Sequence, residues 1–122
     1  MKQILVIDDE PTIRFLLEKM LQREGYAVIT APDGDEGMKL FQESRFDLVI
    51  TDIIMPEKEG IEIIMEIKKI QPDMPVIAIS GGGFNAPGSY LNIARAAGAA
   101  AVLEKPMEKE TLLSHVQKLL AS

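Results

Sequence analysis

Short apolar runs alternate five times with amphipathic helical stripes, which predicts an α/β fold: a doubly wound parallel sheet with helices on both faces. Two observations carry this. Four of the apolar runs, at 4–7, 48–50, 76–79 and 100–103, are nearly continuous rather than alternating, as strands covered on both faces require. The segments between them space their apolar residues by three and four, the period of a helix lying on a sheet.

The first strand, 4–7, ends in Asp8-Asp9-Glu10. A helix over 12–23 follows, with Ile13, Leu16, Leu17, Met20 and Leu21 forming one wide stripe. Pro11 near its start loses no hydrogen bond there, and Gly25 is a natural stop. A weaker strand is expected at 26–30 and a helix at 35–44 carrying Met38, Leu40 and Phe41. The strand at 48–50 runs into Asp52. The helix at 60–71 sets Ile63, Ile64, Ile67 and Ile70 on one face and stops before Pro72. Ile61 and Met65 lie off that face, so this helix is either broadly buried or presents an apolar patch to a partner. The strand at 76–79 leads to Ser80 and three glycines, Gly81, Gly82 and Gly83. An Ala-rich helix at 89–97 stops at Gly98. The strand at 100–103 leads to Lys105-Pro106, and a final helix at 108–120 carries Leu112, Leu113, Val116, Leu119 and Leu120.

A chain of 122 residues with this single run of elements is expected to form one domain over 1–122. With no cysteine, disulfides and thiolate metal sites are excluded. The net charge of −6 argues against direct nucleic-acid binding, which Lys and Arg drive. The apolar run at 4–7 is too short for a signal peptide, and the Ala-rich stretch at 94–103 is broken by Arg95 and Gly98, so no membrane segment is expected. A cytoplasmic location is the expectation.

Ligands of open α/β sheets bind beyond the carboxyl ends of the strands. The residues there are Asp8, Asp9 and Glu10, then Asp52, then Ser80, then Lys105. Carboxylates gathered at one spot repel one another, and a hard divalent cation relieves that repulsion. Mg²⁺ takes oxygen ligands, keeps several waters and is commonly held by one or two carboxylates plus a phosphate. Lys105 supplies a compact positive charge for phosphate oxygens and Ser80 a hydroxyl donor. A carboxylate nucleophile beside Mg²⁺ and lysine is equipped to form an aspartyl phosphate. Gly81, Gly82 and Gly83 lack the Lys-Ser/Thr ending of a phosphate-cradling loop and are read as a mobile loop. His115, in the last helix, is read as a surface residue.

In these features the chain resembles the receiver domains of two-component response regulators, including the free-standing chemotaxis type. The anchors are Asp8-Asp9, Asp52 within Thr51-Asp52-Ile53-Ile54-Met55-Pro56 with Gly60 following, Ser80, and Lys105-Pro106. The resemblance implies a flavodoxin-like sheet of strand order 2-1-3-4-5 and a phosphorylation-dependent switch. By position it makes Asp52 the phosphoacceptor, Ser80 the switch hydroxyl and Lys105 the partner of the phosphoryl group. It makes Asp9 a direct Mg²⁺ ligand alongside Asp52 and the Ile54 carbonyl, with Asp8 acting mainly through a metal-bound water. Pro106 matches a proline that usually follows a cis bond. The implied donor is a sensor histidine kinase or phosphotransfer protein. The output passes to a protein target through the face built by the fourth strand, fourth helix, fifth strand and fifth helix. A monomer or a weak phosphorylation-dependent dimer is implied.

The chain departs from the family pattern at Val102, where an aromatic rotamer switch often stands, and in a slightly long 80–98 segment. Two rival readings stay open on sequence. One is a phosphohydrolase of the haloacid-dehalogenase type, with Asp8 of Asp8-x-Glu10-x-Thr12 as nucleophile. It lacks the late acidic pair and cap domain which that chemistry needs. The other is a degenerate receiver that binds partners without phosphorylation, which the intact acidic set and Lys105 disfavour.

Overall fold

A computed structural model describes residues 1–53, 60–80, 88–105 and 108–121. The elements follow in strict alternation: β1 (Gln3–Ile7), α1 (Pro11–Arg23), β2 (Ala27–Ala31), α2 (Gly34–Glu43), β3 (Leu48–Asp52), α3 (Gly60–Ile70), β4 (Val76–Ser80), α4 (Gly88–Ala97), β5 (Ala101–Glu104) and α5 (Lys109–Leu120). The strands form one parallel sheet in the order β2-β1-β3-β4-β5, the flavodoxin-like order that the resemblance implied.

Side-chain alternation along the strands divides the core in two. Ile4 and Val6 of β1, Leu48 and Ile50 of β3, and Ile77 and Ile79 of β4 meet Leu17 and Leu21 of α1 and Leu112, Leu113 and Val116 of α5. The opposite parity, Leu5, Ile7, Val49, Val76 and Ala78, meets Met38 and Phe41 of α2, Ile63, Ile64 and Ile67 of α3 and Ala94 of α4. Burial on both faces is why the central strands read as unbroken apolar runs.

Local chemistry sets the helix ends. Pro11 opens α1, and Gly25 beyond its end adopts a φ of 93°, a conformation that favours glycine. The Asp33 carboxylate caps α2 by accepting from the Glu36 backbone N–H at 2.8 Å. Gly98 ends α4 with a φ of 121°, and the Lys68 stem lies across it. The Lys68 ammonium donates to the Met74 carbonyl at 2.9 Å.

Two residues expected on core stripes are exposed. Leu16 is 52% exposed because Leu17 and Leu21, one helical turn apart, already fill the face of α1 that meets the sheet. Ile70 is 49% exposed because it is the last residue of α3, one turn past the last buried contact at Ile67. For α3 as a whole the two readings divide. Ile61 packs against the core whereas Met65 faces solvent. Among the described residues, no helix is long and apolar enough to cross a membrane.

Candidate functional site: an acidic cluster around one lysine

Strand register assembles the site before any side chain is considered. Ile7 of β1 stands beside Thr51 of β3, so the next residues, Asp8 and Asp52, emerge side by side at the carboxyl end of the sheet. Asp52 in turn stands beside Ile79 of β4, with Ser80 one residue on. Ser80 stands beside Glu104 of β5, and the backbone N–H of Lys105 donates to the Ser80 carbonyl at 2.9 Å. Residues far apart in sequence are thereby fixed to one edge by backbone ladders alone.

Lys105 sits at the centre. Its Nζ lies 3.0 Å from Asp52 Oδ2, 3.0 Å from Asp8 Oδ2 and 2.9 Å from Glu10 Oε1. The contacts with Asp52 and Glu10 are aligned hydrogen bonds. That with Asp8 is an ion pair without hydrogen-bond alignment, and Asp8 Oδ2 accepts no hydrogen bond although it is buried. The other Asp8 oxygen, Oδ1, accepts from the Glu10 backbone N–H at 2.9 Å. Arg14 of α1 donates to the Asp8 carbonyl at 2.8 Å and ties the helix to the end of β1.

Burial governs the electrostatics. It pushes the Asp8 carboxyl above the ordinary carboxylate range, and the Glu10 N–H and the Lys105 charge only partly offset this. Burial also disfavours the charged form of Lys105, but the hydrogen bonds to Glu10 and Asp52 and the ion pair with Asp8 outweigh it and hold the ammonium above the usual lysine value. Lys105 therefore stays charged.

Asp8, Asp9, Glu10 and Asp52 each offer one oxygen, and these oxygens lie within 4.8 Å of one another. Four carboxylates against one ammonium leave an excess of negative charge. The buried Asp8 Oδ2, with no aligned donor and only a shared ammonium beside it, is where that excess falls. All the donors are hard oxygens, so the set fits a small divalent cation such as Mg²⁺.

The structure brings Asp8, Asp9, Asp52 and Lys105 together as the sequence predicts, and it sets Ser80, buried, at the adjoining strand end. Ile54, Pro106, Gly81, Gly82 and Gly83 lie outside the described residues. Sequence reasoning missed the role of Glu10. Although Glu10 precedes α1, its carboxylate makes no capping bond to the helix and turns instead to Lys105.

Comparison with known proteins agrees with this geometry. The family model described as "Response regulator receiver domain" matches residues 4–117. The chain is 37% identical over 117 residues to the transcriptional regulatory protein GlrR of Escherichia coli (strain K12), covering 96% of this chain and 26% of GlrR. It therefore spans about a quarter of that relative's length. It is 34% identical over 120 residues to the response regulator receiver protein CpdR of Brucella abortus (strain 2308), covering 98% of both. The crystal structure of the response regulator TrrA from Thermotoga maritima, in complex with Mg²⁺ and BeF, superposes with a TM-score of 0.88 at 39% identity, covering 98% of this chain and 100% of that one. The match over nearly the whole chain decides against the phosphohydrolase reading. The chain belongs to the receiver-domain family of two-component response regulators, whose members are phosphorylation-dependent switches.

Proposed function

We propose that Asp52 is the residue phosphorylated in this domain, with Mg²⁺ held by Asp8, Asp9, Asp52 and the Ile54 carbonyl. The observation that carries the reading is the 3.0 Å contact between Lys105 Nζ and Asp52 Oδ2 at the centre of the acidic cluster. In the transfer, an Asp52 carboxylate oxygen forms a bond to phosphorus, and the bond from phosphorus to the donor group breaks, its electron pair leaving with the donor. The donor is the phosphorylated histidine of a sensor kinase or phosphotransfer protein.

Each residue of the chain has a part. The strand ladders hold Asp52 so that its oxygen meets phosphorus without prior rearrangement. Lys105 pairs with the phosphoryl oxygens as their charge redistributes, and the Ser80 hydroxyl donates to one of them. Asp8 and Asp9 hold the cation. When bound, Mg²⁺ neutralises phosphoryl and carboxylate charge and so lets two anionic groups approach. The same groups assist hydrolysis of the aspartyl phosphate.

The phosphorylated state changes affinity for a downstream protein through the β4-α4-β5-α5 face, in a cytoplasmic protein that is monomeric or weakly dimeric when phosphorylated. It contacts neither nucleic acid nor membrane directly. On this reading residues 1–122 are one receiver domain.

The test is intact mass after incubation with acetyl phosphate and Mg²⁺. Wild type gains one phosphoryl group. Asp52→Asn, which keeps the shape but lacks the nucleophilic oxygen, gains none. Equal phosphorylation of Asp52→Asn would remove the assignment.

A further inference from the structure

We infer that Glu10 is an electrostatic gate on the phosphorylation site: its carboxylate holds Lys105 in the unphosphorylated state, opposes the entry of anionic donors, and releases Lys105 when the phosphoryl group arrives. The inference rests on the reading of Asp52 as phosphoacceptor.

Three carboxylate oxygens crowd Lys105 Nζ within 3.0 Å. A phosphoryl oxygen must take a place beside the same ammonium, so one of the three has to yield. Asp8 and Asp52 are held by burial, with side chains 1% and 4% exposed, whereas the Glu10 side chain is 56% exposed. A buried pair is costly to break, because it strands an unsolvated charge. An exposed carboxylate regains water when it leaves and gives up little. Glu10 is thus the partner that can swing away.

Its place in the chain allows this. Glu10 precedes α1 but contributes no side-chain cap, so its rotation leaves the helix end as it was. The Glu10 backbone N–H still donates to Asp8 Oδ1, which keeps the loop in position while the side chain moves. Until it moves, Glu10 adds one negative charge to the cluster that a phosphodonor must approach. This chain thereby favours a donor delivered by a protein over small anionic phosphates.

The experiment compares Glu10→Gln with wild type using two donors at saturating Mg²⁺. From acetyl phosphate, phosphorus gains a bond to an Asp52 oxygen and loses its bond to the acetate oxygen, acetate leaving with the electron pair. From phosphoramidate, the P–N bond breaks and ammonia leaves. Phosphoramidate carries a proton on nitrogen that cancels one negative charge. Glu10→Gln should therefore speed acetyl phosphate by about threefold, the scale of one screened unit charge. Phosphoramidate should gain less, and the difference should shrink with added salt.

Two further readouts separate a gate from other roles. In metal-free protein, the Lys105 ammonium resonance in ¹⁵N NMR should shift in Glu10→Gln, and Mg²⁺ affinity by calorimetry should fall only by the few-fold that loss of one screened charge gives, not by the loss of a ligand. Equal acceleration of both donors, or no acceleration, overturns the gate. Slower transfer with weakened Mg²⁺ binding also overturns it and makes Glu10 a metal-positioning residue. Phosphorylation persisting in Asp52→Asn would instead overturn the phosphoacceptor assignment, whatever Glu10→Gln does.

Discussion

Gly60 lies against the carbonyl oxygen of Asp52 so closely that no side chain fits between them. A Cβ built at Gly60 would overlap that oxygen and stand 2.7 Å from the Ile53 Cα. The Gly60 N–H donates to the Ile53 carbonyl at 2.7 Å, and Gly60 itself is buried. The first residue of α3 is therefore built directly onto the strand end that carries Asp52. The requirement is for space, not for an unusual backbone angle, since Gly60 is not among the glycines with positive φ.

Gly60→Ala should consequently do two things at once. The added methyl meets backbone rather than a flexible side chain, so either β3 or α3 must shift. A loss of about 3 kcal/mol is expected, at the upper end of ordinary overpacking. Because the displaced atoms belong to Asp52, phosphorylation by acetyl phosphate should slow as well. Urea unfolding and intact-mass kinetics on the same preparation check both. A variant with unchanged midpoint and unchanged rate would show that the contact relaxes without cost.

Metal binding should depend on the two first acids unequally. Asp8 already has one oxygen engaged by the Glu10 N–H and the other beside Lys105. Asp9 lies nearer solvent with one oxygen inside the cluster. Asp9→Ala should abolish Mg²⁺ binding and phosphorylation, while Asp8→Ala should be milder. For wild type without phosphate, an affinity of about millimolar is expected, since few protein ligands are available and several waters remain. An unchanged Mg²⁺ titration in Asp9→Ala would locate the cation elsewhere.

The fold was legible because its two-sided burial leaves a mark at every strand. Strands covered on both faces read as continuous runs such as Ile4-Leu5-Val6-Ile7, and the helices between them repeat at 3.6 residues. Strand ends were less legible: β3 extends through Thr51 and Asp52, polar residues that end an apolar pattern but continue the ladder. Leu16 and Ile70 were misjudged for a related reason, since periodicity gives a face but not the width of the neighbour covering it. Asp8, Asp9, Asp52 and Lys105 were legible from position alone, because parallel strands deliver their carboxyl ends to one edge. The Glu10–Lys105 bond was not. It joins residues 95 apart through a flexible side chain, and nothing local distinguishes Glu10 from a solvated acid at a helix start.

Phosphorylation should reach α4 through Ser80 rather than through an aromatic side chain. Ser80 is buried at the end of β4, and its carbonyl is bound to the Lys105 N–H, so the two residues proposed to meet the phosphoryl group share one backbone link. A phosphoryl group on Asp52 adds charge and acceptor oxygens, and the Ser80 hydroxyl can move toward it and donate. Gly81, Gly82 and Gly83 follow, and glycine accepts backbone angles closed to other residues. The far end of α4 is held, with Ala94 fully buried and the Gly98 N–H bound to the Arg95 carbonyl. Displacement is therefore expected at its near end, toward Gly88. Val102 stands beside Ala78 in the sheet and packs on the core with Ala94, too small and apolar to report the change. Phosphorylation can bias partner binding only if this segment has two states of different affinity. Ser80→Ala should uncouple phosphorylation from the movement, whereas Val102→Ala should leave the coupling largely intact. Amide exchange across residues 81–97 with and without beryllofluoride, a phosphoryl mimic, measures this. No change in the wild-type segment, or as large a change in Ser80→Ala as in wild type, would rule out the route.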